Sequence, residues 1–387
     1  MSANKKIVSF FTSKLDWLIS FAVSRFVMEK EISKIMKISN IPNTKQQNED
    51  EWVTKWKQLS SYVNRKFYRT FSTYIGYDIN IVPDDICHNV IEPILNPKRY
   101  ISAFEDKCLF DKMLWSSFNS NVTPPTYIKN INGVYFDCDY KTIESVNDVI
   151  KRIPHEVKRL IIKKSIDSSS GRGISFVYRD DNGNFIDTET KEILSDAYFK
   201  KYFEKNFVVQ KVVKQSTFMD QLCKTSANTI RMAVYRSVET NEPHVINTII
   251  RIGKDGSLVD NAHAGGMFIG IDSDGNLGKY CCNQYGEKET VFNGVDFTSN
   301  KLTVPNFDKI KSFAENVATA LPHQRLLALD IMLDENNEPV LLEYNIRAFS
   351  VWLFQFTNGT GFGEYTDEII DYCKQNITEN TRISVIF

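Results

Sequence analysis

Leu329-Asp330-Ile331-Met332-Leu333, then the turn Asp334-Glu335-Asn336-Asn337-Glu338, then Val340-Leu341-Leu342-Glu343-Tyr344-Asn345 is the stretch on which the fold of this chain turns. Two apolar runs joined by a polar turn read as a β-hairpin, and because side chains alternate along a strand, Glu343 and Asn345 share a face. Antiparallel pairing can bring Asp330 opposite them. A carboxylate set inside an apolar strand costs on the order of several kcal/mol unless it is paired or binds a metal. Two carboxylates and an amide oxygen make a hard, all-oxygen donor set suited to Mg²⁺, which also draws ligands from phosphates. Asp334, Glu335 and Glu338, in the turn itself, read as solvated charges.

Upstream, Ile161-Ile162-Lys163-Lys164-Ser165-Ile166-Asp167-Ser168-Ser169-Ser170-Gly171-Arg172-Gly173 runs from one strand through a Ser/Gly loop into the next. Such a loop can turn successive backbone N–H groups toward phosphate oxygens while a lysine neutralises them. It lacks the G-x-x-x-x-G-K-[ST] spacing and no helix comes after it, so it is not a Walker A loop. On this segment alone, a plain surface hairpin is an equal alternative.

Outward from these stretches the pattern is α+β. The first hundred residues read as helical over Phe10–Ile38 and from Glu51 to about Tyr74, and Pro83, Pro93 and Pro97 interrupt the remainder. A short helix is expected over Phe104–Phe118. Strands are expected at Arg159–Lys163, Ile174–Tyr178, Phe207–Gln210, Thr229–Tyr235, Val245–Ile252, Leu326–Leu333 and Pro339–Tyr344, with helices near 189–205, 308–321 and 364–376. The expected organisation is a helical domain over 1–100, an α+β subdomain with the Ser/Gly loop over 101–206, and a second with the hairpin over 207–387.

Composition narrows the function classes. At about 150 residues per domain, 387 residues imply two to three domains. Lys plus Arg number 47 against 48 Asp plus Glu, a net charge of −1 that argues against a dedicated nucleic-acid binder. None of the seven cysteines forms a C-x-x-C pair, which argues against a structural zinc site or a disulfide framework and suits a reducing cytoplasm. Near the amino terminus Leu15, Leu18, Ile19, Ala22, Val23 and Phe26 recur at helical spacing, but Lys14, Asp16, Arg25 and Glu29 keep any apolar run short of the ~20 residues a membrane span needs. Docking on its own domain is the plainer use of that helix; contact with a membrane surface or a glycosyltransferase is the other. His88, His155, His244 and His323 are scattered and read as structural or solvated. Cys281-Cys282 reads as part of a polar loop, and Trp352 and Phe354 come closely enough after Asn345 to wall a pocket.

In order along the chain, Asp106-Lys107, Lys163 with its Ser/Gly loop, Val208-Val209-Gln210-Lys211-Val212-Val213, and Asp330 with Glu343-x-Asn345 resemble the ATP-grasp superfamily. Ser226-x-Asn228-Thr229-x-Arg231, Val259-Asp260-Asn261 before Gly265-Gly266, and the upstream Pro83-Asp84-Asp85 and Ile94-Leu95-Asn96 are similar to its branch associated with sugar transfer and polysaccharide biosynthesis. The resemblance covers about 80 to 387 and implies an ATP-grasp fold, two α+β subdomains clasping ATP, behind the helical amino-terminal region. It implies phosphate contacts from Lys107 and Lys163, with Lys112 a weaker candidate, and a flap containing Ser169, Ser170, Gly171 and Gly173. It further implies adenine contacts from Gln210, Lys211 and Val213, a ribose contact from Gln215, a place for Asn228 in the nucleotide site, and Mg²⁺ held by Asp330, Glu343 and Asn345. Arg231 would stabilise the transferring phosphoryl group, and Asn261, His263 and Gly266 would lie near the acceptor.

One departure bears on catalysis. Many carboxylate–amine ligases of the superfamily carry an arginine two residues before the metal-binding aspartate, where this chain has Ala328; Arg231 and Arg347 are the substitutes the sequence offers. The reaction the resemblance implies is ATP-dependent joining of a carboxylate, in a small molecule or glycan such as a uronic acid, to an amine. Direct phosphorylation of a hydroxyl with His263 or Asp260 as base, and a non-enzymatic partner protein, are the alternatives.

Overall fold

The computed structural model describes residues 22–166, 173–257, 265–299 and 301–377. The long strands of these residues form two antiparallel sheets. The first has six strands, β1 (Thr126–Ile131), β2 (Val134–Phe136), β3 (Arg159–Lys164), β4 (Ile174–Arg179), β5 (Phe185–Asp187) and β6 (Phe207–Lys211), in the order β2-β1-β6-β3-β4-β5. The second has seven: β7 (Thr229–Arg236), β8 (Pro243–Ile252), β9 (Met267–Ile271), β10 (Leu277–Cys282) and β11 (Lys288–Glu289) precede a two-stranded ribbon, β12 (Val291–Phe292) with β13 (Val295–Asp296). β14 (Leu326–Leu333) and β15 (Pro339–Asn345) complete it, in the order β11-β10-β9-β8-β7-β14-β15.

Alternation of side chains decides what covers each face. On the six-stranded sheet Ile128, Leu160, Ile162, Val177, Phe207 and Val209 pack against the helices Val146–Arg152 and Asp196–Tyr202. Ser145 and Ser195 cap these helices by accepting from the backbone N–H three residues on. On the seven-stranded sheet Leu327, Leu329 and Ile331 of β14 and Ile230, Met232 and Val234 of β7 face the helix Phe307–Thr319 through Ile310, Ala314 and Val317. Leu326, Ala328, Ala233, Tyr235, Ile249 and Phe268 face the other way, into one core with Trp52, Trp56, Phe67, Tyr68 and Phe71 of the amino-terminal helices and with the helix Val351–Thr357. Truncating either of the buried tryptophans would cost about 3–5 kcal/mol.

The segment just upstream of the six-stranded sheet braces the hairpin. Asn96 donates to Leu326 O (2.6 Å) and Ile346 O (2.8 Å) and accepts from Arg325 N (2.9 Å) and Leu326 N (3.0 Å), so one buried amide ties both hairpin strands at their ends. Glu92 accepts from Ala348 N (3.1 Å) and Phe349 N (2.8 Å). These bonds steady a turn in which Ala348 and Ser350 take φ of 54° and 60°, a region where side chains cost energy.

Several elements differ from the sequence expectation. The helix expected from Glu51 to Tyr74 is two, Glu49–Trp56 and Arg65–Ile75, because Asn64 caps the second by accepting from Lys66 N. The Phe104–Phe118 helix begins only at Phe110, after a tight turn over Lys107–Leu109 capped by Asp106. The 189–205 helix shrinks to Asp196–Tyr202, since Ile193 forms a bridge with Ile186 and Ser195 starts the helix. The β1–β2 hairpin turns at Asn132-Gly133, whose φ values of 51° and 91° match the turn that such a pair favours. Cys281 and Cys282 lie in β10, fully buried, and burial pushes both thiols up to about 12, so neither is a reactive thiolate at neutral pH. Phe354 is core, and half-buried Trp352 packs on Phe268 and Phe356. Most of the amphipathic amino-terminal segment lies outside the described residues; 22–38 is helical. Among the described residues no helix is long and apolar enough to cross a membrane.

Candidate functional site

The charged row begins with strand register. β14 pairs with β15 so that Asp330 lies opposite Glu343, and with β7 so that Asp330 lies opposite Arg231. β7 pairs with β8 so that Thr229 lies opposite Arg251. These side chains occupy the face that, one turn of the pleat away, is the apolar floor of Ala328, Ala233 and Ile249 under the amino-terminal helices. The same face is therefore apolar where the helices cover it and charged where they do not.

Arg231 grips Asp330 with two bonds, Nε to Oδ1 (2.8 Å) and Nη2 to Oδ2 (2.9 Å). Arg251 Nη1 reaches Oδ2 at 3.3 Å, and Asn345 Nδ2 donates to Oδ2 at 3.3 Å and to Ala328 O at 3.1 Å. Burial alone would raise the Asp330 pKa, but Arg231 and Arg251, with hydrogen bonds from Arg231 and Asn345, hold it below the ordinary carboxylate value. Asp330 is thus ionised at neutral pH.

Two lysines come from the other sheet. The turn carrying Lys107 is fixed to the six-stranded sheet by Lys107 N to Ser165 O (3.0 Å) and by a Cys108 thiol directed at Asn130 O and Phe207 O. From there Lys107 Nζ crosses to Glu343 Oε1 at 2.8 Å, linking the sheets through an ion pair. Lys163, near the end of β3, lies in the field of the same groups. Desolvation, and the charge of Lys107, push it down to about 8 against the pull of Glu343 and Asp330. At neutral pH it is mostly protonated.

The donors fit a hard cation. Asp330 Oδ2 already accepts three donors while Oδ1 accepts one from Arg231, so Oδ1 is the oxygen of that carboxylate with lone-pair capacity to offer. Asn345 uses Nδ2 for its hydrogen bonds, which makes Oδ1 its ligand atom, and the Glu343 side chain is 34% exposed. Among the described residues no cluster of three or more His, Cys, Asp or Glu forms a metal site; the candidate set here is two carboxylates and an amide, the oxygen-only chemistry magnesium prefers.

The other expected residues divide between framework and site. Gln210 is in β6, its side chain donating to Thr126 Oγ1 (3.1 Å) and Pro124 O (3.4 Å). Lys211 ends the strand, exposed, with its N–H on Pro125 O, and half-buried Val213 lies on the crossing to the second sheet, where Gln215 bridges Asp334. Gln215 donates to Asp220, Cys223 O and Ser226 O and accepts from Asn228, while Asn228 donates to Met219 O and Cys223 O. The two amides lock this corner, so the side chain of Gln215 is engaged within the framework here. Arg347 forks onto both carboxylate oxygens of Glu105 and does not join the row. Gly173 sits at φ 71°, where a Cβ would meet Lys164 Cγ at 2.9 Å. Ser169, Ser170, Gly171, Asp260, Asn261 and His263 lie outside the described residues. Sequence reading missed Arg251; its signal was a lone charge in the apolar run Val245–Ile252, the same signal that exposed Asp330.

A model of the sugar-transfer associated ATP-grasp family matches residues 88–370. Similar solved structures include an ATP-grasp ligase, PsnB, complexed with a precursor peptide and AMPPNP (12% identity, 72% of this chain and 62% of that one, TM-score 0.40). Another is a carboxyaminoimidazole ribonucleotide synthase from Aspergillus clavatus complexed with ATP (10%, 71% and 54%, TM-score 0.40). A third is the VanG D-Ala:D-Ser ligase from Enterococcus faecalis (16%, 70% and 61%, TM-score 0.39). The chain spans about half to just under two-thirds of the length of these chains. No curated protein matches it.

Proposed function

We propose that this chain, which belongs to the sugar-transfer associated ATP-grasp family, is an ATP-dependent carboxylate–amine ligase. The observation that carries the reading is the charge row: Lys107, Lys163, Arg231 and Arg251 gathered around Asp330 and Glu343, an excess of cations that suits a polyphosphate with its magnesium. Bound Mg²⁺ would neutralise β- and γ-phosphate charge, held by Glu343, Asn345 and Asp330 Oδ1. Lys107 and Lys163 would take the phosphates from the side of the six-stranded sheet, and the β6 end, Gln210 to Val213, would hold the adenine.

In the reaction an acceptor carboxylate oxygen attacks the γ-phosphorus and the bond to the β-phosphate oxygen breaks, giving an acyl phosphate and ADP. The amine then attacks the acyl carbon, phosphate leaves with the C–O electron pair, and the amine proton passes to a base, for which His263 is our candidate. The chain's contribution is positioning and charge neutralisation, the main requirements of phosphoryl transfer. The family's association with sugar transfer points to a uronic acid or similar polysaccharide precursor as acceptor, and the exposed Val23, Phe26 and Val27 on the helix over 22–38 suit docking near a membrane or a glycosyltransferase.

The test adds hydroxylamine to protein, Mg·ATP and a panel of uronic acids. A hydroxamate formed together with ADP is expected from the wild type and not from Glu343→Gln, which keeps shape and removes one charge. A stable phosphate ester with no hydroxamate would replace the ligase by a kinase.

A further inference from the structure

The core tryptophans direct their indole N–H groups at backbone carbonyls, Trp52 at Ile81 O (2.7 Å) and Trp56 at Ile79 O (3.3 Å). Trp352 differs: it is half-buried, and among the described residues its N–H meets no acceptor. Covered indoles ordinarily match that donor, so an unmatched one on a partly open ring is a donor available to a ligand. Its place in the fold is fixed from two sides. Asn96 on Ile346 O and Glu92 on Ala348 N and Phe349 N hold the backbone that leads from Asn345 of the row to the helix Val351–Thr357. That helix lies directly on β9 and β10: a Cβ on Gly270 would come within 2.5 Å of Thr357 O, and Tyr280 Oη donates to Phe356 O at 3.2 Å. There Trp352 packs edge-on against Phe268, ring centroids 5.6 Å apart at 79°. Phe268 lies opposite Arg251, so these two share a face of the sheet. The indole therefore stands at the end of the apolar floor that adjoins the charged row.

We propose that Trp352 is the platform on which the acceptor's sugar ring rests, and the residue that makes the site prefer a cyclic uronic acid to an open-chain acid. The inference rests on the ligase reading of the site given above. A pyranose carries a face of C–H groups and a rim of hydroxyls. An indole matches both, its ring covering the apolar face and its N–H donating to a hydroxyl oxygen at the rim. The acceptor carboxylate is drawn toward the cationic excess of the row, which sets the direction in which the ring lies on the platform. An open-chain acid presents no such face and loses more internal freedom on binding.

Labelling the full-length chain with fluorotryptophan gives five ¹⁹F signals, one for each tryptophan, and Trp352→Phe identifies the one from 352. With Mg²⁺ and a non-hydrolysable ATP analogue present, D-glucuronate or D-galacturonate should shift the 352 signal and leave those of Trp52 and Trp56 in place. In turnover, Trp352→Leu should raise the KM for the uronic acid at least about tenfold while Mg·ATP binds within about twofold of wild type. It should also erase the preference for glucuronate over open-chain gluconate, whereas Trp352→Phe, which keeps a ring face, should retain most of it. A uronic acid that is turned over while the 352 signal stays unmoved, or Trp352→Leu with the wild-type KM and preference, overturns the inference and leaves the ligase reading standing. A 352 signal that follows the amine and ignores the acid overturns it as well. Hydroxamate from none of the uronic acids, with Mg·ATP bound, contradicts the sugar acceptor on which the inference rests.

Discussion

Lys163 is the residue whose chemistry is most exposed to solution conditions. Its pKa, pushed down to about 8 by desolvation first and by Lys107 second, lies well below the value of about 10.4 for a free lysine side chain. The protonated form is the one that attracts phosphate, so raising the pH through 8 removes a cation from the site. Mg·ATP should therefore bind progressively more weakly above pH 8 and at constant strength between pH 6 and 7. Lys163→Gln should bind weakly at every pH, with the step at 8 gone. Isothermal titration at fixed ionic strength measures both, and a wild-type profile that is flat from pH 7 to 9.5 would remove Lys163 from the phosphate site. Asp330 behaves oppositely: its lowered pKa keeps it charged across this range, so it contributes no step.

At the scale of elements, the hairpin is rigid because the segment before the six-stranded sheet holds it. Replacing Asn96 by Ala leaves the carbonyls of Leu326 and Ile346 and the N–H groups of Arg325 and Leu326 without those partners. Each such buried loss costs about 1–3 kcal/mol, partly relieved by relaxation. Asn96→Ala should lower unfolding stability by about 2–4 kcal/mol in urea, with an unchanged denaturant slope; a loss below about 0.5 kcal/mol would mean the brace is dispensable. The sequence displayed the strands β3, β4, β6, β7 and β8 through short apolar runs between turns, and the hairpin with Glu343 facing Asp330 through alternation, both local properties. It did not display the brace, because nothing local distinguishes an asparagine that closes a turn from one that reaches across some 230 positions to a strand end. Arg251 was hidden for a related reason: a single arginine in a strand shows its meaning only once the sheet brings Asp330 within reach. Gln215 shows the converse, a polar residue in the right place along the chain whose side chain is engaged by its own corner.

The described residues are built on two large sheets, joined by the crossing at 211–215 and by the Lys107–Glu343 ion pair beside the charged row on the face of the seven-stranded sheet. In the proposed site, phosphate and metal would compete for both members of that pair, so binding would exchange a contact between sheets for contacts of each sheet with the ligand. The helices over 22–38, Glu49–Trp56 and Arg65–Ile75 share their core with the seven-stranded sheet, which sets the boundary between its apolar and charged halves. The proposed reaction is the activation of a carboxylate by ATP at the row. The direct measurement uses an acceptor from the uronic-acid panel labelled with ¹⁸O in its carboxylate, turned over with Mg·ATP and an amine. The account predicts one ¹⁸O in the phosphate released for each amide formed, because the attacking carboxylate oxygen leaves with phosphorus. Amide formed with unlabelled phosphate, or labelled acceptor recovered as a phosphate ester, would contradict it.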